Sequence, residues 1–294
     1  MKKILVIADP CDSKQIAYEK ALKLANLSSA TLHVAILCYE SISIDPASTD
    51  DTDLPDRLKE AVLQQTHDWW QQFLLNNQPP LTVSYEICWE KSLHRWVLEH
   101  CQQHHYDLIV KTGHRSETAF YTPSDWQLFR DAPVPVYSVN NSAFKSKKIV
   151  LAALDLTTSN EEKQQLNRTL LEQAFRLSVQ TDAALHCCYA IKIPTLVKDL
   201  DLIDISAHIH KLQDKTWLAH QSWLDQYAID QSLLHAKEGK PWQVINHFSN
   251  KLHAQCIVIG SRGKNGLAAK LIGNTAEKVI HHARCDLLVI GNPS

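Results

Sequence analysis

The sequence predicts two consecutive copies of one α/β domain, each a parallel sheet with helices on both faces. Three observations carry that expectation. The chain repeats its own pattern after about 150 residues. Within each copy, short continuous apolar runs alternate with longer stretches of helical periodicity. Four of the seven glycines, Gly260, Gly263, Gly266 and Gly273, crowd into one loop after a late apolar run. Self-similarity is the mark of a repeated structural unit, and continuous apolar strands separated by helices are the pattern of a sheet buried on both faces.

The elements follow in order. The first strand is Lys3-Ile-Leu-Val-Ile-Ala-Asp9, matched later by Lys148-Ile-Val-Leu-Ala-Ala-Leu-Asp155, and both apolar runs end on Asp. The first helix is expected over residues 14–27, with Ala17, Ala21, Leu24 and Ala25 on one face and Ser13 placed to cap it. A second strand opens at Ala30-Thr-Leu-His33 and again at Ala183-Ala-Leu-His186. Residues 57–75 and 92–104 carry two more helical patterns. Asp107-Leu-Ile-Val-Lys111 matches Gln255-Cys-Ile-Val-Ile259, and Val134-Pro-Val-Tyr137 matches Asp286-Leu-Leu-Val-Ile290. The polar, turn-rich run Asn140-Asn-Ser-Ala-Phe-Lys-Ser-Lys147 lies between the copies. The expected division is a first domain over 1–140, a linker over 141–147 and a second domain over 148–294.

Composition narrows the function classes. The 294 residues, 45% apolar and 21% charged, suffice for two ordinary globular cores. A net charge of −2 without a basic run argues against nucleic acid as a partner. No apolar stretch approaches the roughly 20 residues of a membrane span. The amino-terminal apolar run is too short for a secretory signal, so the chain is expected in the cytoplasm. The eight cysteines include no C-x-x-C pair, and most sit in apolar runs where a thiol acts as a small hydrophobe.

Parallel sheets of this kind bind ligands beyond the carboxyl ends of their strands, where strand order reverses. After the strand ending at Ile259 comes Gly260-Ser-Arg-Gly263, and Gly273-Asn-Thr275 precedes an amphipathic helix over 276–283. Glycine at a strand end lets backbone turn sharply and a ligand approach closely. Ser261, Arg262 and Lys264 add a hydroxyl and two cations suited to phosphate. Asn274 or Thr275 is placed to cap the helix, whose free N–H groups form an anion site.

The spacing Gly260-x2-Gly263-x9-Gly273-Asn274-Thr275 resembles the nucleotide-binding signature of the universal stress protein family. The strand starts, the Ala-x-Leu-His runs and the apolar last strands extend the likeness over nearly the whole chain, in the manner of its tandem-domain members. The resemblance implies two Rossmann-like domains of the adenine nucleotide alpha hydrolase-like kind, each with a five-stranded parallel sheet. It implies an ATP, ADP or AMP ligand, with or without Mg2+ on Asp155. Ala153, Leu154 and Asp155 would lie near ribose and adenine; Cys187 would offer a backbone contact to the base and Ile259 would border it. Gly260, Ser261, Arg262, Gly263, Gly273, Asn274 and Thr275 would hold the phosphates. It further implies pairing through the last strand, expected here as an internal pseudo-dimer of the two domains, with a homodimer of the chain as a further option.

The first copy departs from this pattern. Thr112 and Arg115 stand for Gly260 and Gly263, and Tyr121-Thr122-Pro123 for Gly273-Asn274-Thr275. Proline supplies no N–H, so the first domain is expected to bind no nucleotide, with Asp9, Val34 and Lys111 at the corresponding places.

Sixteen histidines raise the question of metal. His104-His105, His208 with His210, and His281-His282 are spaced wrongly for two ligands on one helical face, and no metal site is read from them, a zinc site assembled from separate segments being the alternative. His33 and His186 occupy equivalent strand positions and are expected to share a packing or hydrogen-bonding role. Trp69, Trp70, Trp217 and Trp223 are read as packing residues. The segment over 191–209 is apolar enough to cover a crevice or meet a lipid-like ligand. No catalytic residue is legible. The leading expectation is a stress-response regulator that binds an adenine nucleotide in its second domain, with slow hydrolysis at most. The alternatives are an enzyme of the same nucleotide-binding group and an interaction module for an apolar ligand or partner.

Overall fold

Residues along a strand alternate between the two faces of its sheet, so a strand buried at every position must be covered on both. That is the state of β1 (Lys3–Ala8), where all positions from Ile4 to Ala8 are buried. The computed structural model describes residues 1–41, 53–113, 123–140, 147–193, 205–261 and 273–291. These form two compact units, one ending at Asn140 and the other beginning at Lys147.

In the first unit β1 is followed by α1 (Ile16–Ser28), β2 (Thr31–Cys38), α2 (Leu54–Asn77), β3 (Val83–Trp89), α3 (Leu93–Gln103), β4 (Leu108–Thr112), α4 (Pro123–Asp131) and β5 (Val136–Val139). The strands run parallel in the order β3-β2-β1-β4-β5. Its core centres on β1 and β4, with α1 against both. Trp70 of α2 is fully buried and meets Tyr18 of α1 edge-on at 5.5 Å, which ties the two helices together.

The second unit repeats the order with β6 (Ile149–Ala153), α5 (Glu161–Gln180), β7 (Ala184–Ile191), α6 (Ile205–Leu224), β8 (Leu234–Glu238), α7 (Pro241–Leu252), β9 (Cys256–Gly260), α8 (Asn274–His282) and β10 (Asp286–Ile290). Its parallel strands lie in the order β8-β7-β6-β9-β10. Each unit is therefore a five-stranded parallel sheet, as expected.

Two local expectations need correction. Ser13 does not cap α1: the helix begins at Ile16, and Gln15 in the cap position makes no capping bond because its amide is committed to Asp9. Neither Asn274 nor Thr275 caps α8; Gly273 holds that position, and Asn274 is already helical. By contrast α3 is capped as a helix start should be, with Ser92 Oγ accepting the Arg95 N–H at 3.3 Å.

Candidate functional site

Strand order in the second unit reverses between β6 and β9, the place where open α/β sheets receive ligands. Register sets Ala152 beside Val258, so Ala153 and Leu154 leave β6 alongside Ile259 and Gly260. Ala153, Leu154 and Ile259 are buried, and the Leu154 N–H donates to the Cys188 carbonyl at 2.9 Å. Asp155 then turns outward. Its carboxylate pairs with Lys163 Nζ at 3.3 Å and accepts from Thr157 Oγ1 at 3.3 Å. Its peptide is gripped by Asn167 of α5, whose Oδ1 accepts the Asp155 N–H at 2.9 Å while Nδ2 donates to the Asp155 carbonyl at 3.0 Å.

The β9 side is built on backbone. A Cβ on Gly260 would lie 2.8 Å from Leu166 Cδ2, so glycine here admits the α5 side chain. Ser261 is only 1% exposed; its N–H and its hydroxyl both donate to the Ile290 carbonyl, at 3.0 and 3.3 Å. The expected Ser261 hydroxyl contact to phosphate is thereby corrected, because that oxygen is turned into the sheet. The Ser261 carbonyl accepts the Gly273 N–H at 3.1 Å, which ties the start of α8 to the end of β9. Gly273 thus spends its own donor, and the N–H groups of Asn274, Thr275 and Ala276 are the ones left without acceptors inside the helix. Such N–H groups, with the positive end of the helix dipole, are the kind that can hold an anion. Arg262 and Gly263 lie outside the described residues.

Cys187 lies on β7. It sits in mid-strand, in register with Ala152 and Leu234, and is fully buried. Burial pushes its thiol up, and pushes that of Cys188 up to about 12, so both are inert packing groups. Ala190, one residue before the end of β7, is partly exposed. Asn167 and Leu166 were missed because nothing marks an amide or a leucine within a helix as facing a strand end.

The same place in the first unit carries hydrogen-bonded side chains. Thr112, at the position of Gly260, donates from Oγ1 to Asp9 Oδ2 at 2.5 Å. Lys111, where the second unit has Ile259, is 2% exposed and donates to the Thr112 carbonyl at 2.5 Å. The Gly113 N–H donates to the Val139 carbonyl just as Ser261 does to Ile290. Both α4 and α8 run nine residues, which matches Pro123 to Asn274 rather than to Thr275. The missing donor is therefore at the first helical position. Arg115, Tyr121 and Thr122 lie outside the described residues.

A groove between α2 and β3 in the first unit is lined by Leu54, Leu58 and Ile87 and also by Arg57, His67 and Glu86, a wall of mixed apolar and charged character. Most of the 191–209 segment lies outside the described residues. No described helix is long and apolar enough to cross a membrane.

Comparison with known proteins agrees with this architecture. The model of the universal stress protein family matches residues 1–140 and 148–291. Universal stress protein E of Salmonella typhi is 27% identical, over 98% of this chain and 93% of that protein. The universal stress protein E homolog of Haemophilus influenzae is 26% identical, over 98% and 97%. Among solved structures, a functionally unknown protein of Pseudomonas aeruginosa PAO1 superposes with a TM-score of 0.72 at 25% identity, covering 100% of this chain and 93% of that one. Two family matches, one on each five-stranded unit, place this chain in the universal stress protein family.

Proposed function

We propose that the protein is a stress-response regulator whose second unit binds one adenine nucleotide, ATP in the first instance, and whose occupancy tunes its conformation or choice of partner. The observation that carries this reading is the start of α8. Tied to β9 through Ser261 and Gly273, it presents the N–H groups of Asn274, Thr275 and Ala276 beside the strand-order reversal. Asp155, held by Asn167, supplies the polar group on the β6 side for a ribose. The same carboxylate is the residue for a Mg2+ ion accompanying a triphosphate, with Lys163 released from it.

The first unit, with Thr112 bonded to Asp9 and Pro123 at the helix start, binds none. Hydrolysis would be slow, since backbone donors position and stabilise phosphate without activating water. All eight cysteines are free, as suits the reducing cytoplasm. The test is to denature the purified protein, identify the released nucleotide by mass spectrometry, and titrate the stripped protein with ATP. One site per chain is expected; two equivalent sites, or none, would sink the reading.

A further inference from the structure

We propose that His33, Glu86 and His100 form a binding site for one zinc-class divalent cation in the first unit. The three side chains come from β2, β3 and α3, and one ligand atom from each lies within 4.8 Å of the others. His33 pairs in register with Ser84, so Glu86, two residues on, shares its face of the sheet. His33 Nε2 is 2.7 Å from Glu86 Oε1, and His100 Nε2 is 3.4 Å from the same oxygen.

Hydrogen-bond accounting calls for a positive centre here. Ser84 Oγ donates to the Leu32 carbonyl at 3.3 Å, and therefore accepts from His33 Nδ1 at 2.8 Å. That assignment places the neutral imidazole's proton on Nδ1 and its lone pair on Nε2, aimed at a carboxylate oxygen. Two acceptors at 2.7 Å need a proton or a cation between them. A histidine whose second nitrogen is held by a hydrogen-bonding partner is also the usual arrangement of a metal ligand. His100 is held in place by its stack on Trp96, with centroids 4.4 Å apart, and on His33 at 5.5 Å. Its Nε2 lies 2.8 Å from the Tyr106 hydroxyl, a contact that a metal ion would displace.

Two imidazoles and a carboxylate suit Zn2+, or Co2+ as its spectroscopic substitute, and not the oxygen-seeking Mg2+ or Ca2+. Metal–ligand bonds of about 2.0–2.1 Å put tetrahedral ligand atoms roughly 3.3 Å apart. The 3.4 Å pair already meets that, and the 2.7 Å pair needs to open by about half an ångström. Side-chain exposures of 17%, 35% and 10% leave a way in through Glu86 and room for a water as the fourth ligand. His33 lies five residues before the carboxyl end of β2, roughly 16 Å at strand rise, so the site is separate from the crevice.

The second unit supplies the control. By register His186 and His235 match His33 and Glu86, and Phe248, eighth in α7, matches His100, eighth in α3. There the two imidazoles bond each other at 2.8 Å, and phenylalanine cannot ligate.

The test uses the full chain, freed of metal by a chelator and titrated with Zn2+ by calorimetry and with Co2+ by visible absorption. One tight site per chain is expected, with Co2+ bands of a four- or five-coordinate centre. His100→Phe and Glu86→Gln should each weaken Zn2+ at least tenfold and abolish those bands. Their circular dichroism and metal-free unfolding should stay near those of the parent. His235→Gln should change nothing in metal binding. Added Zn2+ should raise the Tm of the parent but not of His100→Phe. Zn2+ affinity and Co2+ spectra that survive both substitutions, or a parent that binds no Zn2+ more tightly than the variants, would overturn the proposal.

Discussion

Asn167 grips Asp155 by both ends of its peptide, accepting the N–H at 2.9 Å and donating to the carbonyl at 3.0 Å, and Gln15 does the same for Asp9 at 3.1 and 2.6 Å. The two units thus keep one device for holding the residue after the first strand, although the side chain stands six residues beyond Asp9 and twelve beyond Asp155. Removing either amide should leave two backbone groups poorly satisfied, at a cost of about 1–3 kcal/mol. Asn167→Leu and Gln15→Leu should therefore lower urea stability by similar amounts. Only Asn167→Leu should also weaken nucleotide binding. Equal loss of binding in both would show that the effect is global rather than local.

How much of this was visible beforehand depends on how each signal arises. The central strands β1, β4, β6 and β9 were legible because burial on both faces demands continuous apolar runs such as Ile149–Ala153. The outer strands β3 and β8 were not. Leu234-His-Ala-Lys-Glu238 is half-exposed, has one neighbour, and needs no apolar run. At the candidate site, Gly260 and Gly273 could be read from their spacing. Asn167, Leu166 and Ala190 could not, since their roles follow from how α5 and β7 meet the strand ends. The His33–Glu86–His100 grouping depends on three segments far apart in sequence, which spacing alone never joins.

The Gly273 substitution separates phosphate binding from folding. Its φ of −57° and ψ of 133° lie where any residue is comfortable, so Gly273→Val introduces no backbone strain. Its N–H remains available to the Ser261 carbonyl. The branched side chain would instead stand beside the free N–H groups of Asn274 and Thr275. ATP affinity should fall at least tenfold in calorimetry while the Tm shifts by no more than a few degrees. Unchanged affinity would remove the start of α8 from the site.

Giving the second unit the residue of the first is a sharper test. Gly260→Thr places a Cβ 2.8 Å from Leu166 Cδ2, which must swing away, and brings a hydroxyl to the position from which Thr112 reaches Asp9. Because the obstacle is the end of a flexible side chain, the cost to stability should be about 1 kcal/mol. Nucleotide binding should be lost. The reciprocal Thr112→Gly should open the first unit without creating a second site, since Pro123 still withholds a donor at the helix start. A second equivalent of ATP bound by Thr112→Gly would contradict that assignment.

The His186–His235 pair gives the second unit an acid-sensitive core contact. The rings stack at 5.1 Å and share a hydrogen bond at 2.8 Å, with Phe248 against His235 at 5.2 Å. Burial, then the His186 and Lys251 charges, hold His235 down to about 4, and burial lowers His186 despite the opposing pull of Asp230. An unfolded histidine titrates near 6.5. Between about pH 6.5 and 4 the unfolded chain therefore binds more protons than the folded one. The contribution of the pair is complete above pH 6.5 and is lost as pH falls towards 4. His235→Gln keeps a hydrogen-bonding group for His186 and removes one titration. From pH 7.5 to 5 the parent should lose about 1–2 kcal/mol more urea stability than the variant, the common carboxylate effects cancelling in the comparison. Identical slopes for the two proteins would mean that the pair is solvated well enough to charge without disrupting the fold.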